Sequence, residues 1–243
     1  MTIPVAPRVL GLIPAKGAST RLPRKNVRPL GGRPLIQWTI DAAKEARLFD
    51  RIVVSTEDAE VARLARSAGA EVPFERPGHL AVDPAGVVQV ALHALEALQA
   101  QGEAFDVICI MLPTCPFRTA GDIRGAFERF RSRPERNLMS VSSFEHTPFN
   151  AMGIDAGGVL FPHFPERFGR KSQEQPLAYR PNGALHILDV AWFQQSRSYL
   201  APPIVAYVMP RERSIDIDTE ADFAEAESLV AAGLISRCGG EHA

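Results

Sequence analysis

The chain is poor in cysteine: Cys109, Cys115 and Cys238 are the only three among 243 residues. Three scattered thiols are too few for a disulfide framework or a cysteine-built zinc site, so Cys109 and Cys115 read as packing residues. No apolar stretch approaches the ~18 residues of a membrane-spanning helix. A secretory leader is not expected either, because Pro4 and Pro7 interrupt Met1–Leu10 and the apolar run ends at Lys16. Long repeats and low-complexity linkers are missing. So are the G-x-x-x-x-G-K-[ST] loop and any recognisable Ser/His/Asp or Cys/His nucleophile set. With a net charge of −1 and no nucleic-acid module, neither nucleic acid nor a membrane is the expected partner. A single cytoplasmic enzyme domain over residues 1–243 is the simplest expectation.

Acidic residues are missing from one region in particular. The first forty residues hold seven basic side chains and no acid, so the remaining chain carries −8. Five of the seven lie between Lys16 and Arg28, whereas Ser214–Ser236 holds six acids and no Lys or Arg. Such runs can be solvated faces; together they can also form a phosphate site and its metal site.

Strand and helix signals alternate through the first 142 residues. Arg8–Pro14, Arg51–Ser55, Glu71–Phe74, Asp106–Met111 and Leu138–Val141 read as strands, and the helices between them begin near Pro34, Glu57, Ala85 and Gly121. This order predicts an α/β fold with a doubly wound, mostly parallel sheet and binding loops at the strand C-termini. Residues 143–180 change texture and predict a small antiparallel excursion. Strands at Asn182–Leu188 and Ile204–Val208 follow, with a helix or turn at Val190–Ser196. A last helix runs from Thr219, a good N-cap with Asp222 three residues on.

Two segments carry chemistry. The loop Ala15–Asn26 follows the first strand, with Gly17, Ala18 and Ser19 as small residues and Lys16, Arg21, Arg24 and Lys25 as cations. A triphosphate needs backbone N–H groups and cations arranged in this way. In Ile215-Asp-Ile-Asp-Thr, extended alternation puts Asp216 and Asp218 on one face and the isoleucines on the other. Two such carboxylates suit Mg²⁺, which is held by one or two carboxylates plus phosphate oxygens.

The motifs IPAKGASTRLPRKN (residues 13–26), LGGRPL (30–35), IVVST (52–56), RPGHLAVD (76–83), LPTCPFR (112–118), RPNGA (180–184) and IDIDTE (215–220) run in order along nearly the whole chain. In this combination the chain resembles the CMP-N-acylneuraminate synthetases and their legionaminate and pseudaminate relatives, which share a Rossmann-like nucleotidyltransferase fold. The resemblance implies that the first loop holds CTP, with Lys16, Arg21 and Lys25 on the phosphates and Asn26 on the nucleotide. Ala15, Gly17 and Ser19 would complete that loop, with Lys25 and Arg21 as the catalytic cations. Arg76 would be a further nucleotide contact, and Gly86 and Val87 replace small hydroxyl residues near the cytosine. Asp216 and Asp218 would hold Mg²⁺.

On the acceptor side the resemblance implies Leu112, Pro113, Thr114, Asn182, Gly183 and His186. Leu112 stands where the sialate enzymes have Gln, His186 where they have Tyr, and Asn150 where they have Lys. Lys171-Ser172-Gln173 replaces an arginine, and Lys171 or Gln173 would reach a neighbour's site across a homodimer built on the excursion. Leu112 and Phe117 lean toward the pseudaminate relatives, while Asn182-Gly183-Ala184 follows the sialate and legionaminate pattern. The implied activity is CMP transfer from CTP to an acidic nonulosonate; 3-deoxy-octulosonate or a phosphonate as acceptor, or a non-catalytic nucleotide-binding protein, are the alternatives.

Overall fold

The computed structural model describes residues 6–235, so Cys238 lies outside the described residues. The first strand, β1 (Val9–Pro14), leads through the basic loop to two short paired strands, β2 (Pro29–Leu30) and β3 (Arg33–Pro34). Helix α1 (Leu35–Ala46), β4 (Arg51–Ser55), α2 (Ala59–Ser67), α3 (Val87–Gln99), β5 (Val107–Ile110), α4 (Ala120–Arg131) and β6 (Asn137–Ser143) follow. The excursion contributes β7 (Met152–Ile154) and β8 (Leu160–Pro162). The chain ends with β9 (Tyr179–Asp189), α5 (Val190–Ser196), β10 (Val205–Val208) and α6 (Glu220–Ala231).

Six strands form one sheet in the order β10-β6-β9-β5-β1-β4. Five run in one direction, and β9 lies antiparallel between β5 and β6. Both faces of β1 are apolar because both are covered. Leu10 and Leu12 pack with Leu92, Leu95 and Leu98 of α3, while Val9 and Ile13 pack with Ile36 and Ile40 of α1, Val61 of α2 and Phe127 of α4. Helices on both faces put the strand C-termini, and the loops after them, along one open edge. A third apolar cluster joins the chain's ends: Leu22, Leu30 and Trp38 meet Ile217 and Phe223 of the C-terminal segment.

The strand expected over residues 71–74 is reduced to one parallel bridge. Glu71 exchanges two 2.8 Å backbone hydrogen bonds with Ile52 and Val54, and Pro73, which has no N–H, ends the pairing. The excursion is antiparallel: β6 and β9 pair out to Ser143 and Tyr179, and β7 pairs with β8. It exposes Ile154, Val159, Leu160, Phe168 and Leu177. No helix among the described residues is long and apolar enough to cross a membrane.

The helix caps follow the local sequence. Thr219 and Asp222 form a capping box on α6, and Thr119 and Asp122 form one on α4. Asp122 is buried and also takes a bidentate pair of hydrogen bonds from Arg213, at 2.9 and 3.0 Å, which fixes the turn leading to the late acidic segment. Asp122→Ala removes a cap and strands Arg213, so it is expected to cost about 2 kcal/mol of stability by urea unfolding. A loss below about 0.5 kcal/mol would contradict this role.

Candidate active site

The loop after β1 is pinned before it is charged. Leu22 is fully buried in the third cluster, Arg24 turns the chain in the left-handed region (φ 56°), and residues 25–27 form one 3₁₀ turn. Lys25 and Asn26 are therefore buried rather than solvated. The Asn26 side-chain amide donates to the Lys16 carbonyl at 2.8 Å and closes the loop on itself. Gly17 does not open the backbone toward a ligand. Its N–H donates to Glu57 at 2.7 Å, and a Cβ there would stand 2.5 Å from the Asp58 carboxylate. Ala15 is wholly buried, with its N–H donated to the Ser55 carbonyl.

Across the loop lies the aspartate pair. Ile217 is fully buried and Ile215 packs against the same cluster, so the alternation turns Asp216 and Asp218 outward. Lys25 donates to the Ile217 carbonyl and to Asp218, both at 2.8 Å, and Arg21 reaches the other Asp218 oxygen at 2.7 Å. Desolvation by the surrounding protein raises the Asp216 pKa, helped by the charge of Asp218 and opposed by a hydrogen bond with Thr114. No cluster of three or more His, Cys, Asp or Glu side chains suited to a metal occurs among the described residues. Two outward carboxylates fit a divalent ion whose remaining ligands are phosphate oxygens and water.

Lys25, Arg21 and Asp218 border a cleft of about 340 Å³, whereas Asp216 is not among the residues that line it. Of the residues singled out in the sequence, Lys16, Ser19, Arg21, Lys25, Asn26, Arg76, Val87, Leu112, Pro113, Thr114 and Asp218 line it. Leu80, Asp83, Ala85 and Val90 also line it and were not anticipated. Arg76 is 3% exposed; its guanidinium donates to the Ser55 hydroxyl and carbonyl, and Glu57 stands 3.7 Å away. Burial pushes its pKa down, but an arginine stays charged. Glu57 thus braces both the first loop and Arg76. Its place just after a parallel strand was the only signal of that role.

Beside the Leu112 wall, the buried Arg118 holds the Leu112 carbonyl and the Thr39 hydroxyl. Gly183 adopts φ +70°, and a Cβ there would stand 3.2 Å from Leu112 and 4.0 Å from Asp216. Asn182 and His186 do not line the cleft. Asn182 spends its amide on interior partners, and His186 faces the core from β9, tilted against Tyr199 at 4.5 Å between ring centres. Lys171 and Gln173 are exposed on the excursion, also away from the cleft. Cys109 and Cys115 are buried, and burial pushes both thiols up to about 12, so neither is a thiolate nucleophile.

The cytidylyltransferase family profile matches residues 10–151, more than half of the chain. The chain belongs to the cytidylyltransferase family. It is 31% identical to the pseudaminic acid cytidylyltransferase of Campylobacter jejuni, over 90% of this chain and 95% of that protein. It is 34% identical to the CMP-N,N'-diacetyllegionaminic acid synthase of Legionella pneumophila, over 92% and 96% of the two chains. Among solved structures, a CMP:2-keto-3-deoxy-manno-octonic acid synthetase complexed with CTP shares the fold. Its TM-score is 0.71 at 15% identity, covering 93% of this chain and 99% of that one. This cytidylyltransferase is thus an enzyme on the expected α/β scaffold, with a mixed, mostly parallel sheet.

Burial lowers the His186 pKa to about 4. The unfolded chain takes up a proton below about 6.5, while the folded protein refuses it until about 4. Stability should therefore fall as pH drops through that window, by an amount on the order of 3 kcal/mol from this residue. Chemical unfolding of His186→Leu should show a correspondingly shallower loss between pH 6.5 and 4. The same slope in both proteins would contradict a neutral, buried imidazole.

Proposed function

We propose that this cytidylyltransferase moves CMP from CTP to the anomeric hydroxyl of an acidic nine-carbon sugar of the sialate, legionaminate or pseudaminate type. The observation that carries this reading is one cleft bordered by three components: the Lys25–Arg21 cations, the Asp218 carboxylate and the apolar Leu112 wall. The cations would seat the triphosphate, with Lys16 and Asn26 at the mouth of the loop and Arg76, Val87 and main chain beside the cytosine. The sugar oxygen would then attack the α-phosphorus, the bond to the bridging oxygen would break, and pyrophosphate would leave as the hydroxyl proton passes to solvent. Such a transfer depends on positioning and charge neutralisation, so no covalent nucleophile is required.

Asp216 and Asp218 would hold Mg²⁺, which supplies further neutralisation of phosphate charge when bound. Leu112, Pro113, Thr114 and Gly183 would form the acceptor wall. An apolar Leu112 favours an acyl or deoxy face of the sugar over a hydroxyl, since a buried hydroxyl without a partner is costly. The exposed apolar strip of the excursion suits a homodimer contact. From there Lys171 and Gln173, which lie away from their own cleft, would reach the partner's. CTP as co-substrate fits a cytoplasmic setting, and the product is an activated donor for surface-glycan assembly.

The test is pyrophosphate release with CTP, Mg²⁺ and sialate, legionaminate, pseudaminate or 3-deoxy-octulosonate. Turnover with at least one nine-carbon acid is expected. Lys25→Ala and Asp216→Ala should each lower it by at least about tenfold, ~1.4 kcal/mol of barrier, in folded protein. Turnover with 3-deoxy-octulosonate alone would move the assignment to that acceptor, and CTP binding without turnover on any acid would leave a binding protein.

A further inference from the structure

Ser140, Asn182, Ser214 and Cys115 come from four separate segments and meet in one buried polar cluster. The Asn182 side-chain oxygen accepts from the Ser140 hydroxyl at 2.6 Å and from the Ala184 N–H at 3.2 Å. Its side-chain N–H group donates to the Ser214 hydroxyl at 2.8 Å, and Ser214 donates onward to the Pro210 carbonyl at 2.7 Å. The Cys115 thiol lies 2.6 Å from the Asn182 carbonyl and 3.1 Å from the Ile215 carbonyl.

The cluster therefore grips the chain at Ser214 and Ile215, the two residues before Asp216. On the far side, the Ile217 N–H donates to the Thr114 carbonyl at 2.8 Å. The register of β6 against β9 shifts between Met139 and Val141, which is where Ser140 makes its bonds. Burying these groups is costly unless all are satisfied, and apolar side chains could fill the space with less risk. Directional bonds add something apolar packing lacks, a fixed position for the segment they hold.

We propose that this cluster, centred on Asn182, sets where Asp216 and Asp218 stand. Asn182 is then a positioning residue for the carboxylate pair and not a ligand of the acceptor sugar. The inference rests on the reading of Asp216 and Asp218 as metal carboxylates. A pair of carboxylates captures a small ion tightly only when its supporting shell holds both in place.

The test uses Mn²⁺ as a spin probe on the full chain. Free Mn²⁺ is followed by electron paramagnetic resonance with CTP equimolar to the protein and a protein-free CTP control, for wild type, Asn182→Ala, Ser214→Ala, their double variant and Asp216→Ala. Mn²⁺ affinity is expected to fall at least about tenfold in each single clamp variant, while metal-free CTP affinity stays within about twofold of wild type. The double variant should be no more than about twofold weaker than the worse single one, because the Asn182–Ser214 bond that each single variant breaks is shared by both residues. Ser214→Ala removes only a hydroxyl and keeps Asn182, so it decides the matter if Asn182→Ala does not fold. Wild-type Mn²⁺ affinity in a folded clamp variant would overturn the clamp alone. Wild type binding Mn²⁺ no better than Asp216→Ala would overturn the metal reading, and the clamp with it.

Discussion

Asp218 accepts hydrogen bonds from Lys25 and Arg21, residues 193 and 197 positions away in the chain, and this contact turns two charged segments into one site. The pair does not supply the energy that brings them together. Ion pairs of this exposure contribute about 1 kcal/mol or less, whereas each buried apolar side chain contributes about 1.5–3 kcal/mol. Leu22, Leu30, Trp38, Ile217 and Phe223 do the holding, and the charges sit on the rim of that cluster. A weak ionic contact on a strongly held frame is one that a more highly charged ligand can exchange at low cost.

The same division of labour recurs on the other wall. Arg76 is too buried to choose its own direction: Ser55 and Glu57 aim it, and Glu57 also takes the Gly17 N–H. One carboxylate thus registers the basic loop against the cleft's second guanidinium. Arg118, fully inside the protein, fixes the Leu112 carbonyl in a comparable way. In each case a buried polar group with defined partners sets the position of a group at the cleft surface.

Much of this was legible in the sequence because period and order carry it. The apolar runs of β1 and β5, the cap Thr219 and the Asp-x-Asp alternation all follow from local rules. The strand expected over residues 71–74 shrank because Pro73 cannot donate to a ladder. Sequence order also gives no direction for β9, which enters from the excursion and runs against its neighbours. Among the cleft-lining residues, Lys25, Arg21 and Asp218 could be singled out because their charge was out of place for a core. Gly17, Asn182 and His186 were read toward the ligand, yet structure turns them inward. A glycine, an amide or an imidazole can serve an interior as well as a pocket, and only three-dimensional partners tell which. Glu57 and Arg118 were missed because their roles are made by contacts far from them in sequence.

On the proposed function, a triphosphate takes over Lys25 and Arg21 from Asp218. A crystal structure with CTP and a divalent cation tests it most directly. The triphosphate should lie against Lys25, Arg21 and Lys16, with Asp216 and Asp218 turned to the ion. CTP bound elsewhere, with Lys25 and Arg21 still on Asp218, would contradict it.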